Sequence, residues 1–351
     1  MLEIAPGLNG RALASDNASG VHPHVLEALA AANHDHASAY GDDAWTGRAV
    51  ELLRSAFDYD LEVLFCFGGT GANVIGLAAA TRPYESILCA ESAHIWNSEC
   101  SAPERFVNAK LIPLADELGK ISVDHLLPHL GPGRGVHTAR PRVVSITQPT
   151  EWGTLYSLDE MRTLADFCHE HDLLLHVDGA RFANAVAALN VSLADCAKCG
   201  IDVLSFGGTK NGLMGAEAVI LFRPDLLEAA EYARKQAMQL ASKMRFVAAQ
   251  FLAYLENDLW HQLASHANAM AALLASQCAS LPRIELAAPV ACNMLFPRLP
   301  ATVLSDLQEE FYFYTWDERA SIARWITSFD TTGEDIEIFS TSLGQHLRKH
   351  A

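Results

Sequence analysis

Positive charge is scarce in this chain of 351 residues: 25 Lys and Arg stand against 42 Asp and Glu, a net charge of −17. A nucleic-acid backbone or an anionic membrane demands a basic face, so neither is an expected partner. An anionic ligand would need a few basic residues placed locally. Long apolar runs are also missing, and none reaches the ~20 residues of a membrane-spanning helix. The eight cysteines are scattered from Cys66 to Cys292, a pattern of free thiols rather than a disulfide framework. Cys196 and Cys199 form a CxxC, but no second pair completes a zinc site, so they read as one helix face. His22, His24, His34 and His36 cluster in sequence without the spacing of one helix face, and no metal site is expected there. The opening MLEIAPGLNG carries Glu3 and lacks a basic, then apolar, leader pattern. It is not expected to act as a secretory signal, and the expected location is cytoplasmic. Repeats and low-complexity segments are absent.

Hydrophobic residues make up 50% of the chain, ample for a full core. Short apolar runs of strand length fall at Leu61–Phe65, Ser86–Ala90, Lys110–Leu114, Arg142–Thr147, Leu173–Val177, Ile201–Phe206 and Ala216–Phe222. Helix-like stretches separate most of them, among them Pro23–Asn33, Gly47–Phe57 and Ser157–His171. The pattern predicts an α/β protein. The last two runs are too close for a helical crossover, so the seventh strand should be antiparallel to the sixth. Beyond Pro224 the character changes to a long helical region, then short strands at Asn293–Phe296, Phe311–Tyr314 and Ser321–Thr327, and a helix near Glu334–Leu347. Two domains are expected: a large one over 1–245, with a loose arm at 1–14, and a small α+β one over 246–351. Gly131–Gly135 reads as a flexible surface turn.

Two features carry chemistry. Asp178 and Lys210 each stand at or just past the end of an apolar run, inside HVDGAR and SFGGTKNG. In a βαβ unit such residues line one crevice. A crevice lysine can form a Schiff base with an aldehyde, and a buried carboxylate can keep a pyridinium nitrogen protonated. Pyridoxal 5′-phosphate (PLP) chemistry needs that pair. The second feature is Gly68-Gly69-Thr70-Gly71-Ala72-Asn73, a glycine-rich turn that opens a helix running to Ala80. Backbone N–H groups and the helix dipole make such a start an anion site. A dinucleotide fingerprint would place a third glycine where Val74 stands. Glu91 is spaced like a ribose-binding acid, so nucleotide binding remains an alternative for this loop alone.

These stretches, with YGDD at Tyr40–Asp43, resemble the fold-type-I PLP enzymes, specifically the threonine aldolase and β-eliminating lyase group, and are most similar to bacterial low-specificity L-threonine aldolases, including phenylserine-cleaving members. The likeness runs from about Ser15 to about Ile338. It implies a PLP-binding large domain around a seven-stranded mixed sheet, and a homo-oligomer, dimer or tetramer. It implies retro-aldol cleavage of L-threonine, L-allo-threonine or L-phenylserine to glycine and an aldehyde. The alternatives are a β-eliminating lyase acting on another amino acid and, from a different class, a nucleotide-dependent oxidoreductase.

By the same resemblance, Lys210, Asp178 and His94 are the catalytic residues, His94 stacking on the cofactor ring or acting on the substrate hydroxyl. Gly69, Thr70 and Gly71 cradle the phosphate, with a further hydroxyl from Thr209. Relatives often carry Ser where Gly68 stands, which removes one side-chain contact. Arg181 sits near the ring's phenolic oxygen, an ion pair with Asp178 being its alternative role. Ser15 and Arg324 match the positions that hold the substrate carboxylate, with Arg319 as a rival for the second. Lys235, Lys243 and Arg245 are candidates to complete a neighbouring subunit's phosphate site. The loop Gln148–Gly153 departs from the His-Asn loop of many relatives; whether its Glu151 is a base or orients water stays open.

Overall fold

The computed structural model describes residues 12–131, 133 and 135–350. Most of the N-terminal arm and part of the 131–135 turn lie outside them. Seven strands form one sheet: β1 (Glu62–Cys66), β2 (Glu85–Ala90), β3 (Lys110–Leu114), β4 (Arg140–Thr147), β5 (Leu174–Gly179), β6 (Val203–Gly207) and β7 (Glu217–Leu221). Their order is β1-β7-β6-β5-β4-β2-β3, and only β7 runs against its neighbours. The short connection from β6 to β7 leaves no room for a crossover helix, which forces the reversal. Every residue of β2, β5, β6 and β7 is buried. Helices therefore cover both faces of the sheet, which is why these strands read as continuous apolar runs rather than alternating ones.

Two of the flanking helices start where a side chain satisfies their free N–H groups. Asp43 accepts from Thr46 N–H to start Ala44–Phe57, three residues before the expected Gly47. Ser157 and Glu160 form a reciprocal capping box for Leu158–Glu170. The region after Pro224 divides into helices Leu227–Gln236, Arg245–Leu255 and Leu259–Cys278. Val247, Phe251, Tyr254, Trp260 and Ala264 pack into the core of the large sheet, while Ala271, Leu274 and Cys278 pack into a second core with Trp325, Phe339 and Leu343. The changeover falls inside helix Leu259–Cys278.

The second core lies against short antiparallel strands: β8 (Glu285–Leu286), β9 (Met294–Leu295), β10 (Pro297–Arg298), β11 (Tyr314–Asp317) and β12 (Ile322–Ile326). Here two expectations need correction. The aromatic run enters a strand at Tyr314 rather than Phe311, because helix Ala301–Glu310 ends only at Phe311. Leu13 and Ala14, expected in a loose arm, are buried; Ile326 N–H donates to Leu13 C=O and Leu13 N–H to Tyr312 C=O. That pairing ties the first described residues to β12 and carries Asp16 inward. Among the described residues, no helix is long and apolar enough to cross a membrane.

Candidate active site

The carboxyl ends of the parallel strands, and the loops that follow them, meet in one pocket. Gly69 and Thr70 come after β1, His94 and Glu99 after β2, Glu151 after β4, Asp178 from β5 and Lys210 after β6; Arg324 arrives from β12. In the register, Thr147 on β4 lies opposite Asp178, which pairs on its other side with Ser205 of β6. β5 and β6 approach closely at their ends: a Cβ at Gly207 would stand 2.4 Å from Ala180 C=O. This contact requires glycine and sets the lysine turn directly over the Asp178 strand.

Asp178 is buried, with Asn73 Nδ2 donating to its Oδ2 at 2.8 Å and Ala180 N–H to its Oδ1 at 3.1 Å. Asn73 also donates to Glu99 Oε1 at 2.9 Å, and the same oxygen lies 2.9 Å from His94 Nδ1. A chain of polar groups thus runs from His94 through Glu99 and Asn73 to Asp178. The Glu99 contact favours the tautomer with a proton on Nδ1.

Lys210 sits on the short turn Thr209–Asn211. Burial, with the Arg181 charge nearby, lowers its pKa, which favours the neutral nucleophilic amine. Arg181 does not pair with Asp178. Its guanidinium makes a two-pronged ion pair with buried Asp16, Nε to Oδ2 at 2.6 Å and Nη2 to Oδ1 at 2.7 Å. Asn293 adds a third donor to Asp16 at 3.2 Å. Arg324 differs: among the described residues it makes no ion pair. It stacks over Tyr314 and Trp316, 5.6 and 5.2 Å from their ring centres, and its buried Nε has no acceptor. The rival Arg319 is exposed in the turn before β12 and does not line the pocket.

Helix Gly69–Ala80 begins without a side-chain cap, and a Cβ at Gly68 or Gly69 would meet nothing within 4 Å. The first N–H groups of a twelve-residue helix are thus open toward the pocket, the arrangement that suits a phosphate. Gly71 is confined by Gln239, whose Cδ would lie 2.5 Å from an added Cβ. An unclaimed helix start, a buried lysine whose charge is disfavoured, and a buried carboxylate at the far side make a donor set that fits PLP.

Three expected contacts are not among the residues lining this pocket: Gly71, Thr209 and Ser15. Thr209 Oγ1 accepts from Ala216 N–H at 3.2 Å and bonds Glu217, a buried acid that desolvation pushes up to about 7. Ser15 Oγ accepts from Asn17 N–H and donates to Asp16 at 3.4 Å, and Ser15 does not line the pocket. Conversely, Asn73, Glu99 and the Asp16 partner of Arg181 were not assigned from sequence. Asn73 lies inside the glycine-rich motif and Asp16 next to Ser15, but nothing in their spacing reveals the partner. The CxxC cysteines are buried, and Cys199 Sγ lies 3.5 Å from Leu158 C=O and Asp195 C=O.

Fold and pocket together define a fold-type-I PLP-dependent lyase. Residues 12–299 match the beta-eliminating lyase family, and the chain belongs to that family. It is 45% identical to the low specificity L-threonine aldolase of Pseudomonas aeruginosa, over 92% of this chain and 93% of that one. It is 44% identical to the enzyme of the same name from a Pseudomonas species, over 91% and 92% of the two chains. The solved structure of threonine aldolase from Leishmania major superposes with a TM-score of 0.91 at 31% identity, covering 95% of this chain and 99% of that one.

Proposed function

We propose that this enzyme cleaves L-β-hydroxy-α-amino acids, L-threonine, L-allo-threonine and L-phenylserine among them, to glycine and an aldehyde. The observation that carries the reading is the unpaired Arg324 guanidinium in the same pocket as Lys210 and Asp178. An α-amino acid brings a carboxylate for the first and an amine for exchange at the second. The likeness to two low specificity L-threonine aldolases along nearly their whole length supports the same substrate class.

Bound here, PLP supplies an electron sink for the pair left on Cα when the Cα–Cβ bond breaks. Lys210 is the residue that would hold it covalently. The Gly69–Gly71 helix start would take its phosphate, Asp178 its ring nitrogen, and His94 one face of the ring. Asn73 and Ala180 N–H, one donor on each oxygen, hold the Asp178 carboxylate in place for that task. Arg181, neutralised by Asp16, contributes hydrogen-bond donors more than net charge. Arg324 grips the substrate carboxylate with its planar fork. That grip governs rotation about Cα, so L substrates are selected. The grip acts at Cα and leaves the configuration at Cβ open, so threo and erythro forms both react.

We further infer a homo-oligomer, at least a dimer, in the cytoplasm, with the large unit extending into helix Leu259–Cys278. The packing of Trp260 and Ala264 on the large core supports a boundary later than residue 245. The test of function is aldehyde release from the four threonine stereoisomers with PLP supplied. Acetaldehyde and glycine from both L forms are expected. Cleavage of D-threonine, or 2-oxobutanoate in place of aldehyde, would overturn the reading.

A further inference from the structure

The retro-aldol reading needs a base for the β-hydroxyl proton, and one pocket carboxylate is still without a task. Glu151 follows β4 in a loop that hydrogen bonds make rigid. The Gln148 amide bonds Tyr156 in both directions, at 2.8 and 2.9 Å, and Gly153 N–H donates to Thr150 C=O at 2.8 Å. Both donors to Glu151 converge on Oε1: His94 N–H at 2.8 Å and the Thr147 hydroxyl at 3.0 Å. Oε2 is buried and, among the described residues, has no hydrogen-bond partner. A buried carboxylate oxygen left without a donor is costly, and this one belongs to a residue lining the pocket with Lys210, Asp178 and Arg324.

We propose that Glu151 is the general base of the cleavage step, taking the substrate's β-hydroxyl proton on Oε2. The proposal rests on the retro-aldol reading. The proton passes from the hydroxyl to Glu151, and the O–H electrons become the second bond of the aldehyde C=O. The Cα–Cβ bond breaks, and its pair remains with Cα until a proton arrives to form glycine. No oxidant or further reactant is required.

The surroundings suit this role. Burial, together with the Asp178 charge, pushes Glu151 up to about 7, where a carboxylate accepts and returns a proton with little cost. Cys89 on β2 and Tyr156 beyond the loop also face it, and both stay neutral because burial raises them as well. Glu104 adds negative charge near Cys89. The hydrogen bonds from His94 N–H and the Thr147 hydroxyl oppose that rise. Glu99 also keeps a free oxygen, yet it is already engaged with a titratable partner, the His94 ring. Glu151 has none.

The test uses the Glu151→Gln and Glu151→Asp holoenzymes and two reactions. Aldehyde release from L-threonine needs the base. Exchange of the glycine Cα hydrogen in D₂O, followed by NMR, loads the same site and forms a charge at Cα without any β-hydroxyl. The Gln variant is expected to lose ~100-fold or more in aldehyde release while its glycine exchange stays close to wild type. The Asp variant should recover part of the loss. In wild type, kcat/KM should fall as pH drops below about 7. Infrared difference spectra of the apoprotein should show carboxylic-acid absorption titrating in that range from Glu151 and Glu217, and the Gln variant should lose the Glu151 component. Equal loss of both reactions, or no loss of either, overturns the proposal, as does the absence of that Glu151 component. A wild-type enzyme that exchanges glycine but releases no aldehyde overturns the retro-aldol reading and this proposal together.

Discussion

Replacing Asp16 by Asn removes one partner of the most buried ion pair in the site. The Asp16 side chain is 1% exposed and that of Arg181 15%, and two short hydrogen bonds join them. Burial alone would raise the Asp16 pKa; the Arg181 charge and bonds outweigh it and hold the acid below 3.8. A surface pair would contribute at most ~1 kcal/mol. Here the variant strands a guanidinium in a site without water-like screening, which costs ~3–5 kcal/mol. The assay is urea unfolding of the apoprotein at neutral pH, compared at equal slope. A folded-state pKa that is lowered contributes stability above the unfolded value and loses it as pH falls. The gap between wild type and variant should therefore shrink as pH drops below 3.8. Removing both charges, with Asp16→Leu and Arg181→Met together, should restore much of the loss. A single-variant loss under ~1 kcal/mol, the surface value, would refute the claim that this pair organises the site.

Lys210→Ala should abolish the borohydride-trappable link to PLP along with turnover; a reducible adduct at another lysine would contradict the assignment. Asp178→Asn should fold and bind PLP yet lose ~100-fold or more in kcat, because an amide does not stabilise the protonated ring; near-normal rates would make Asp178 structural. Arg324→Ala should raise KM for L-threonine by ~10- to 100-fold, the value of a charged hydrogen bond, and an unchanged KM would remove Arg324 from the carboxylate site. Gly207→Ala places a Cβ 2.4 Å from Ala180 C=O; an unfolding midpoint equal to wild type would show that the β5–β6 approach is not tight, against an expected loss of ~1–3 kcal/mol.

The large sheet was legible because its strands are buried on both faces. Lys110–Leu114 matches the structure in full, and the other six strands shift by one or two residues at their ends. The reversed β7 followed from connection length alone. Helix Ala301–Glu310 was missed although Val303, Leu304 and Leu307 mark its buried face; the aromatic run just beyond it drew attention to a strand. Within the site, residues held by a strand end or a glycine turn could be placed from sequence, as Asp178 and Lys210 show. Asp16 and Arg181 could not be paired, because their meeting depends on the Leu13 backbone pairing with Ile326 of β12, more than 300 residues away. Thr209 shows the opposite failure: a hydroxyl beside the lysine invites a phosphate contact, but the β6–β7 turn spends it on Ala216 and Glu217.

The reversed strand beside Lys210 has a consequence for how such an enzyme can be altered. The lysine hangs on a tight hairpin whose two legs are central rungs of the sheet, so its position is inherited from backbone pairing. Glu151 and His94 ride instead on loops that leave the sheet and return. Changes of reaction or of aldehyde preference can then arise by rewriting those loops around His94, while the strand-borne Asp178 and the Lys210 turn stay untouched. A directed-evolution library confined to exposed positions of those loops, such as Trp96 and Ser98, would search new chemistry while leaving the buried Ala93, Ile95 and Tyr156 in place.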